Sequence, residues 1–187
     1  MNIEILESVL SKYHISKPKF KGEKVEQQSF PFMLTVFRKL IKDGVPPTQK
    51  EFIQNFKDNY PQLKLYGIVS RLKRAYLSYV REYHLGFLLK RYFKRVIYSE
   101  KLDLLGIDYV IYYRKHKFNI HAYVNTEGGK YWRKIKNDRH NFYGCHLDLP
   151  MDLDAGKRVG KIILYTDEHI LSLKKQMDEL VNASPGK

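Results

Sequence analysis

Cysteine is almost missing: Cys145 is the single one in 187 residues. That excludes a disulfide framework and any multi-cysteine zinc centre, and it suits a reducing compartment, so a cytoplasmic protein is expected. Long apolar runs are missing too. None approaches the ~18 residues of a membrane span, and no membrane partner is expected. The opening stretch, MNIEILESVLSKYH, carries two early glutamates and no cleavable apolar core, which is not a signal-peptide pattern. There is no glycine-rich phosphate loop, because Gly128-Gly129-Lys130 stands without the rest of a P-loop. No serine or cysteine sits in a nucleophile context, and no internal repeat is present.

Acid is scarce as well. Asp and Glu number 20 against 34 Lys and Arg, giving a net charge of +14 and a pI near 9.7. Hydrophobic residues at 43% and aromatics at 14% are still enough for a packed core, so wholesale disorder is excluded.

The positive charge is concentrated. Residues 64–95 hold nine basic side chains (Lys64, Arg71, Lys73, Arg74, Arg81, Lys90, Arg91, Lys94, Arg95) against one acid, Glu82. Residues 114–142 hold eight (Arg114, Lys115, Lys117, Lys130, Arg133, Lys134, Lys136, Arg139) against Glu127 and Asp138. The remaining residues balance at 17 of each sign, so these two windows carry the whole excess. Such focusing suits a polyanion, because each cation that meets a phosphate releases a condensed counterion. Two solvated surfaces would be the plainer reading. A membrane surface fits less well, since the basic segments lack a Leu/Phe/Trp anchor. Aromatics interleave with the charge: Tyr76, Tyr79, Tyr83 and Tyr92 lie in the first window. In the second, Lys130-Tyr131-Trp132-Arg133-Lys134 alternates cations with flat rings that could stack on bases.

The pattern predicts helices over 1–14, 30–42 and 48–60, the last opened by a Thr48/Glu51 capping box. A polar linker or arm fills 16–29. A long helix follows from about Tyr66 to Phe93, with Ile68, Leu72, Ala75, Tyr79, Tyr83, Gly86, Leu89 and Phe93 inward. The helical run resembles a helix-turn-helix, with Ser70, Arg71, Lys73 and Arg74 as groove contacts. After Phe93 the apolar period changes to two. Strands are expected at 96–98, 109–113 and 118–124, then a basic loop or short helix over 127–141. Further strands at 146–149 and 161–165 and a Thr166-capped helix over 167–181 complete the chain. The expected class is α+β with an α/β core: a helical region over 1–64, a mixed sheet of about five strands with flanking helices over 65–181, and a frayed tail over 182–187.

The densest chemistry lies in Arg81-Glu82-Tyr83-His84 on the long helix, then Asp103-Leu104-Leu105-Gly106-Ile107-Asp108, then Ile120-His121-Ala122-Tyr123-Val124. In this order, over about residues 76–181, the chain resembles the PD-(D/E)XK, or restriction-endonuclease-like, nuclease superfamily. That family places Glu on a helix, Gly-Ile-Asp at a strand start, and an acid or Gln two residues before Lys on the next strand. The resemblance implies metal-assisted phosphodiester hydrolysis, with Mg²⁺ held by carboxylates and lowering the pKa of the attacking water. Asp108 would then be the metal-binding acid and Glu82 the helix acid that orients metal-bound water. His121 falls where the family has Glu or Gln, and Tyr123 where it has Lys. Imidazole prefers softer ions, and a neutral tyrosine cannot replace an ammonium. Lys130 or Lys134 would have to reach in instead.

Plainer roles exist for each residue. Asp108 and Asp103 could cap turns, Glu82 could pair with Arg81 or Lys90, and His84 and His121 could be core residues. His140 and His146 lack cysteine partners for zinc. Asn137-Asp138-Arg139-His140-Asn141 lacks the second histidine of an HNH nuclease core.

Three functions follow as expectations. The first is a nucleic-acid-binding protein, with DNA as the expected polymer, whose nuclease-like site has lapsed. It would need no cofactor and would suit an accessory or inhibitory factor of a mobile element. The second is an active Mg²⁺-dependent endonuclease using Glu82, Asp108 and a relocated lysine, with His121 and Lys130 completing the site. The third is an interaction module for an acidic protein or a ribonucleoprotein. Expected nucleic-acid contacts are Arg71, Lys73, Arg74, Arg81, Lys90, Arg91, Lys115, Lys130, Tyr131, Trp132, Arg133, Lys134, Lys136 and Arg139.

Overall fold

The computed structural model describes residues 1–18, 33–63, 66–99, 101–102, 105–139 and 144–183, and of residues 132 and 136–139 only the backbone. Within them lie six helices, a four-stranded sheet and a two-stranded ribbon, a mixed α+β architecture. The chain forms two compact units, Met1–Tyr83 with Arg158–Ile162, and His84–Lys157 with Ile163–Lys187.

The first unit is helical. α1 (Ile3–Ser11) starts where the Asn2 side chain accepts the Ile5 N–H at 2.9 Å, and it buries Ile3, Leu6 and Leu10. α2 spans Met33–Lys39, shorter than the periodicity predicts. Its C-terminal end loosens into three-residue turns through Leu40 and Ile41, and Lys42 then bridges to Val45 across Asp43-Gly44. Phe30, the expected start, lies outside the described residues, as does most of the 16–29 linker.

α3 (Gln49–Asn59) has the capping box its sequence predicts: the Thr48 hydroxyl accepts the Glu51 N–H, and the Glu51 carboxylate accepts the Thr48 N–H at 2.7 Å. Hydrogen bonds from Thr48 hold the Glu51 carboxyl below its ordinary pKa. Phe52 and Phe56 are buried, while Tyr60 is only half-buried.

The long helix α4 covers Ile68–Tyr92. Of the expected inward line Ile68, Leu72, Leu89 and Phe93 are buried, while along its middle Tyr76, Val80, His84 and Leu88 are the buried residues, at four-residue spacing from Leu72. Ala75, Tyr79 and Tyr83 lie half-buried beside that line. In the first unit Phe37, Phe52, Tyr76 and Tyr79 pack as edge-to-face and tilted rings 5.6–6.1 Å apart. The tyrosines also finish a polar task. The loop through Gly44, Pro46 and Pro47 offers carbonyls without strand partners. The hydroxyls of Tyr83, Tyr13 and Tyr76 donate to them in turn.

In the second unit β1 (Arg95–Ile97), β2 (Tyr109–Tyr113), β3 (His116–Val124) and β4 (Cys145–Met151) form one sheet in that order. β1–β2 and β2–β3 are antiparallel, and β3–β4 is parallel. The β2–β3 turn is tighter than expected, with only Arg114 and Lys115 between the strands. Both have positive φ, the geometry that matches strand twist.

Of the two alternatives for 127–141, loop or short helix, the structure has the helix, α5 (Glu127–Arg139), through the residues described. Thr126 accepts the Gly129 N–H at its start. Glycine's poor helix propensity leaves that choice open in the sequence. The need for glycine is steric: a Cβ on Gly129 would stand 2.0 Å from the Val124 carbonyl oxygen.

The expected fifth strand does not join the sheet. Pro150 lies in β4, one of the two edge strands among those described, and cannot donate a further ladder bond. The chain turns, and β5 (Lys157–Val159) pairs with β6 (Ile162–Leu164). α6 (Asp167–Ala183) closes the unit on Ile170, Leu173 and Met177, and its Asp178 carboxylate accepts the Tyr113 hydroxyl at 2.8 Å.

Thr48→Ala removes one half of the α3 capping box and should lower stability by about 1 kcal/mol. A urea midpoint unchanged by that substitution would contradict the role given to the box.

Candidate functional site

The two faces of the sheet differ in kind. Strand residues alternate faces, and residues paired across strands share one. Ile111, Phe118, Ile120, Leu147, Leu149 and Met151 make one face apolar and buried. The other carries Asn119, His121 and Tyr123 from β3, opposite His146, Asp148 and Pro150 of β4. Polar groups at every second position are the signal that finds this face in the sequence. Asn119 and Asp148 escaped attention because each looks unremarkable alone.

Asp108 and His121 come together here. Asp108 is the residue before β2, and its N–H donates to the Ile120 carbonyl, which extends the ladder by one step. Its carboxylate Oδ2 accepts the Ala122 N–H at 2.7 Å, and the residue is 5% exposed. The His121 ring, 1% exposed, reaches back to the same segment: Nδ1 lies 2.9 Å from the Gly106 carbonyl oxygen. Gly106 holds a φ of 73°, which a side chain would resist, so glycine fits where this carbonyl must turn.

Tautomers follow from that carbonyl, which can only accept. His121 Nδ1 therefore carries its proton, and Nε2 is the acceptor in the neutral ring. His146 Nδ1 sits 2.9 Å from His121 Nε2 and must donate. His146 Nε2 is left to accept from the Asn119 amide nitrogen at 3.0 Å. The result is a chain with one consistent direction, from Asn119 through His146 and His121 to Gly106. Burial, then the nearby Arg133, pulls the His121 pKa down to about 4, although the Gly106 bond and Asp148 oppose that shift. His121 is thus set as a neutral link.

Over this face Arg133 comes in from α5, its Nε donating to Asp148 Oδ1 at 2.7 Å. The arginine side chain is 14% exposed and the carboxylate 45%. Burial raises the Tyr123 pKa, and so does Asp148. Arg133 is therefore turned inward rather than laid open on the surface with its neighbours Lys130, Tyr131 and Lys134, which are exposed.

These residues do not fit a magnesium ion. Mg²⁺ needs several oxygen ligands in octahedral array. Asp108 commits Oδ2 to a backbone N–H, and both nitrogens of His121 are engaged. Among the described residues no group of three His, Cys, Asp or Glu side chains gathers in a way that would hold a metal. Glu82 is half-buried on the part of α4 that belongs to the first unit.

The remaining sequence candidates divide by exposure. On α4, Ser70 is buried rather than poised for a groove, while Arg71, Lys73, Arg74 and Arg81 are half-buried. Burial lowers the pKa of Arg71 and Arg74, and Lys73 donates to the Lys17 carbonyl at 3.4 Å. Lys90, Arg91 and Lys115 are exposed, with Arg91 3.7 Å from Asp167 in a solvated pair worth little. The side chains of Trp132, Lys136 and Arg139 lie outside the described set, and so do Lys64, Asp103, His140 and Asn141.

The chain matches no family model, no curated protein and no solved structure. Function must be argued from the face itself.

The buried neutral His121 carries a pH consequence. Its folded pKa is below the ordinary value near 6.5, so the unfolded chain binds more protons between those limits. Stability is then fully present above pH 6.5 and is lost as pH falls towards 4, by at most about 3 kcal/mol. His121→Gln should flatten the slope of stability against pH in that window relative to the parent. Parallel slopes for the two proteins would show that His121 is not held neutral.

Proposed function

We propose that this chain binds nucleic acid, with DNA as the polymer, and that its nuclease-like positions serve the fold rather than catalysis. The observation that carries the reading is a division of labour in the second unit. Asp108, which matches the nuclease pattern, and His121, which stands where that pattern has Glu or Gln, are buried and hydrogen-bonded to their neighbours. The basic residues Lys90, Lys94, Arg95, Arg114, Lys115, Lys117, Lys130 and Lys134 are exposed. Solvated cations cost nothing to bring to a phosphate backbone and gain from counterion release.

Support for the nuclease-like ancestry comes from element order. A long helix, a β-hairpin, further strands and a closing helix follow one another in the order that the resemblance implies, with Gly106-Ile107-Asp108 immediately before β2 and a helix, α5, where that order has a loop. A binding protein on such a scaffold would block or recruit at DNA, as an accessory or inhibitory factor of a mobile element does.

Gel-shift or anisotropy titrations should show affinity falling roughly hundredfold between about 50 and 200 mM salt. Replacing Lys130 and Lys134 together by Glu should weaken binding at least about tenfold without unfolding the protein, because both are solvated. An affinity indifferent to salt would point instead to a protein partner. Incubation with plasmid, single-stranded DNA and RNA in Mg²⁺ or Mn²⁺ should leave all three intact. Cleavage that disappears in Asp108→Ala would establish an active nuclease and overturn the proposal.

A further inference from the structure

The polar face of the sheet continues beyond the histidines towards the hairpin turn. Arg95, Tyr112 and Lys117 are cross-strand partners on β1, β2 and β3, and the next row on that face is Ile97, Val110 and Asn119. The Arg95 guanidinium lies 4.0 Å from the centre of the Tyr112 ring. A tyrosine is thus held upright on the sheet by a cation on one side, with the ring half-buried.

An open groove of about 250 Å³ runs along this row. Val110, Tyr112, Leu102 and Leu105 line it with apolar surface, while Lys101 and Lys117 supply cations. None of its described lining residues carries a carboxylate. Leu105 remains 48% exposed, an apolar side chain left open to water beside lysines. The volume is below the ~300–1,000 Å³ of pockets that enclose a drug-sized ligand, so it suits a single ring system.

We propose that this groove takes one unpaired base of single-stranded DNA, stacked on Tyr112, with the flanking phosphates met by Arg95, Lys101 and Lys117. The inference rests on the nucleic-acid reading above and narrows its substrate to unpaired strands. Flat aromatic surface, apolar lining and a cationic rim together match a nucleotide, whose base is planar and whose linkages are anionic. A duplex offers the charge but keeps its base faces stacked away, so it can use the lysines and not the ring. An acidic peptide could use the lysines but has no planar group to exploit Tyr112 and its Arg95 support.

The test uses the full chain and a fluorescein-labelled strand of about 16 nucleotides, alone or annealed to its complement. The parent protein should bind the single strand about tenfold more tightly than the duplex at equal salt. Tyr112→Leu should lower single-strand affinity about tenfold and leave duplex affinity within about twofold. Lys101→Glu with Lys117→Glu, at two exposed positions, should lower single-strand affinity at least about tenfold and weaken the duplex as well, and it keeps the test sound if the tyrosine variant unfolds. Equal binding of both polymers, or single-strand affinity that neither variant changes, overturns the groove assignment while leaving the DNA-binding reading intact. Failure to bind either polymer overturns both.

Discussion

The hydrogen-bonded chain from Asn119 through His146 and His121 to the Gly106 carbonyl is the constraint on which the second unit depends. It ties β3 to β4 on one side and to the segment entering β2 on the other. A one-residue slip of β3 would send His121 and Asn119 to the apolar face and bring Ile120 out. Each buried polar group left unpaired would cost about 1–3 kcal/mol, so the register is fixed by polar matching as well as by burial. The Asp108 carboxylate adds a second clamp at the same place by accepting the Ala122 N–H.

This arrangement engages both ring nitrogens of His121 in hydrogen bonds within the fold. A general base or a metal ligand needs a lone pair that is free to meet its target. In His121 one nitrogen is protonated towards Gly106 and the other accepts from His146. Arg133 adds positive charge nearby, which further disfavours protonation of His121. Among the described residues of this unit, Lys90, Lys94, Arg95, Arg114, Lys115, Lys117, Lys130 and Lys134 are exposed. In the first unit Tyr13, Tyr76 and Tyr83 satisfy loop carbonyls with their hydroxyls. The high tyrosine count is thus in part a structural requirement.

Much of the fold was legible in the sequence because the signals were local. The Thr48/Glu51 box, the period-two run of β2 and the apolar spacing of α6 each declare themselves within a few residues. Where the sequence left a choice open, a contact decided it. Gly128-Gly129 left 127–141 open between loop and helix, and what Gly129 makes room for is the carbonyl of Val124. The long helix buries Tyr76 and Val80 rather than Tyr79 and Tyr83, because heptad-like spacing is ambiguous until its neighbours are known. The site was half legible: Asp108 and His121 were found, yet their partners Ala122, Gly106 and His146 are set by register. Charge windows located the basic surface, but no window separates Arg133, folded onto Asp148, from the exposed Lys134 beside it.

The most direct test is nitrogen NMR of the histidine rings in the folded protein. At neutral pH His121 should be neutral, and both His121 and His146 should carry a proton on Nδ1. Their ring signals should stay unchanged on adding Mg²⁺. A His121 ring that carries its proton on Nε2, becomes charged near pH 6.5, or shifts selectively with Mg²⁺ would contradict the claim that these positions are committed to holding the sheet.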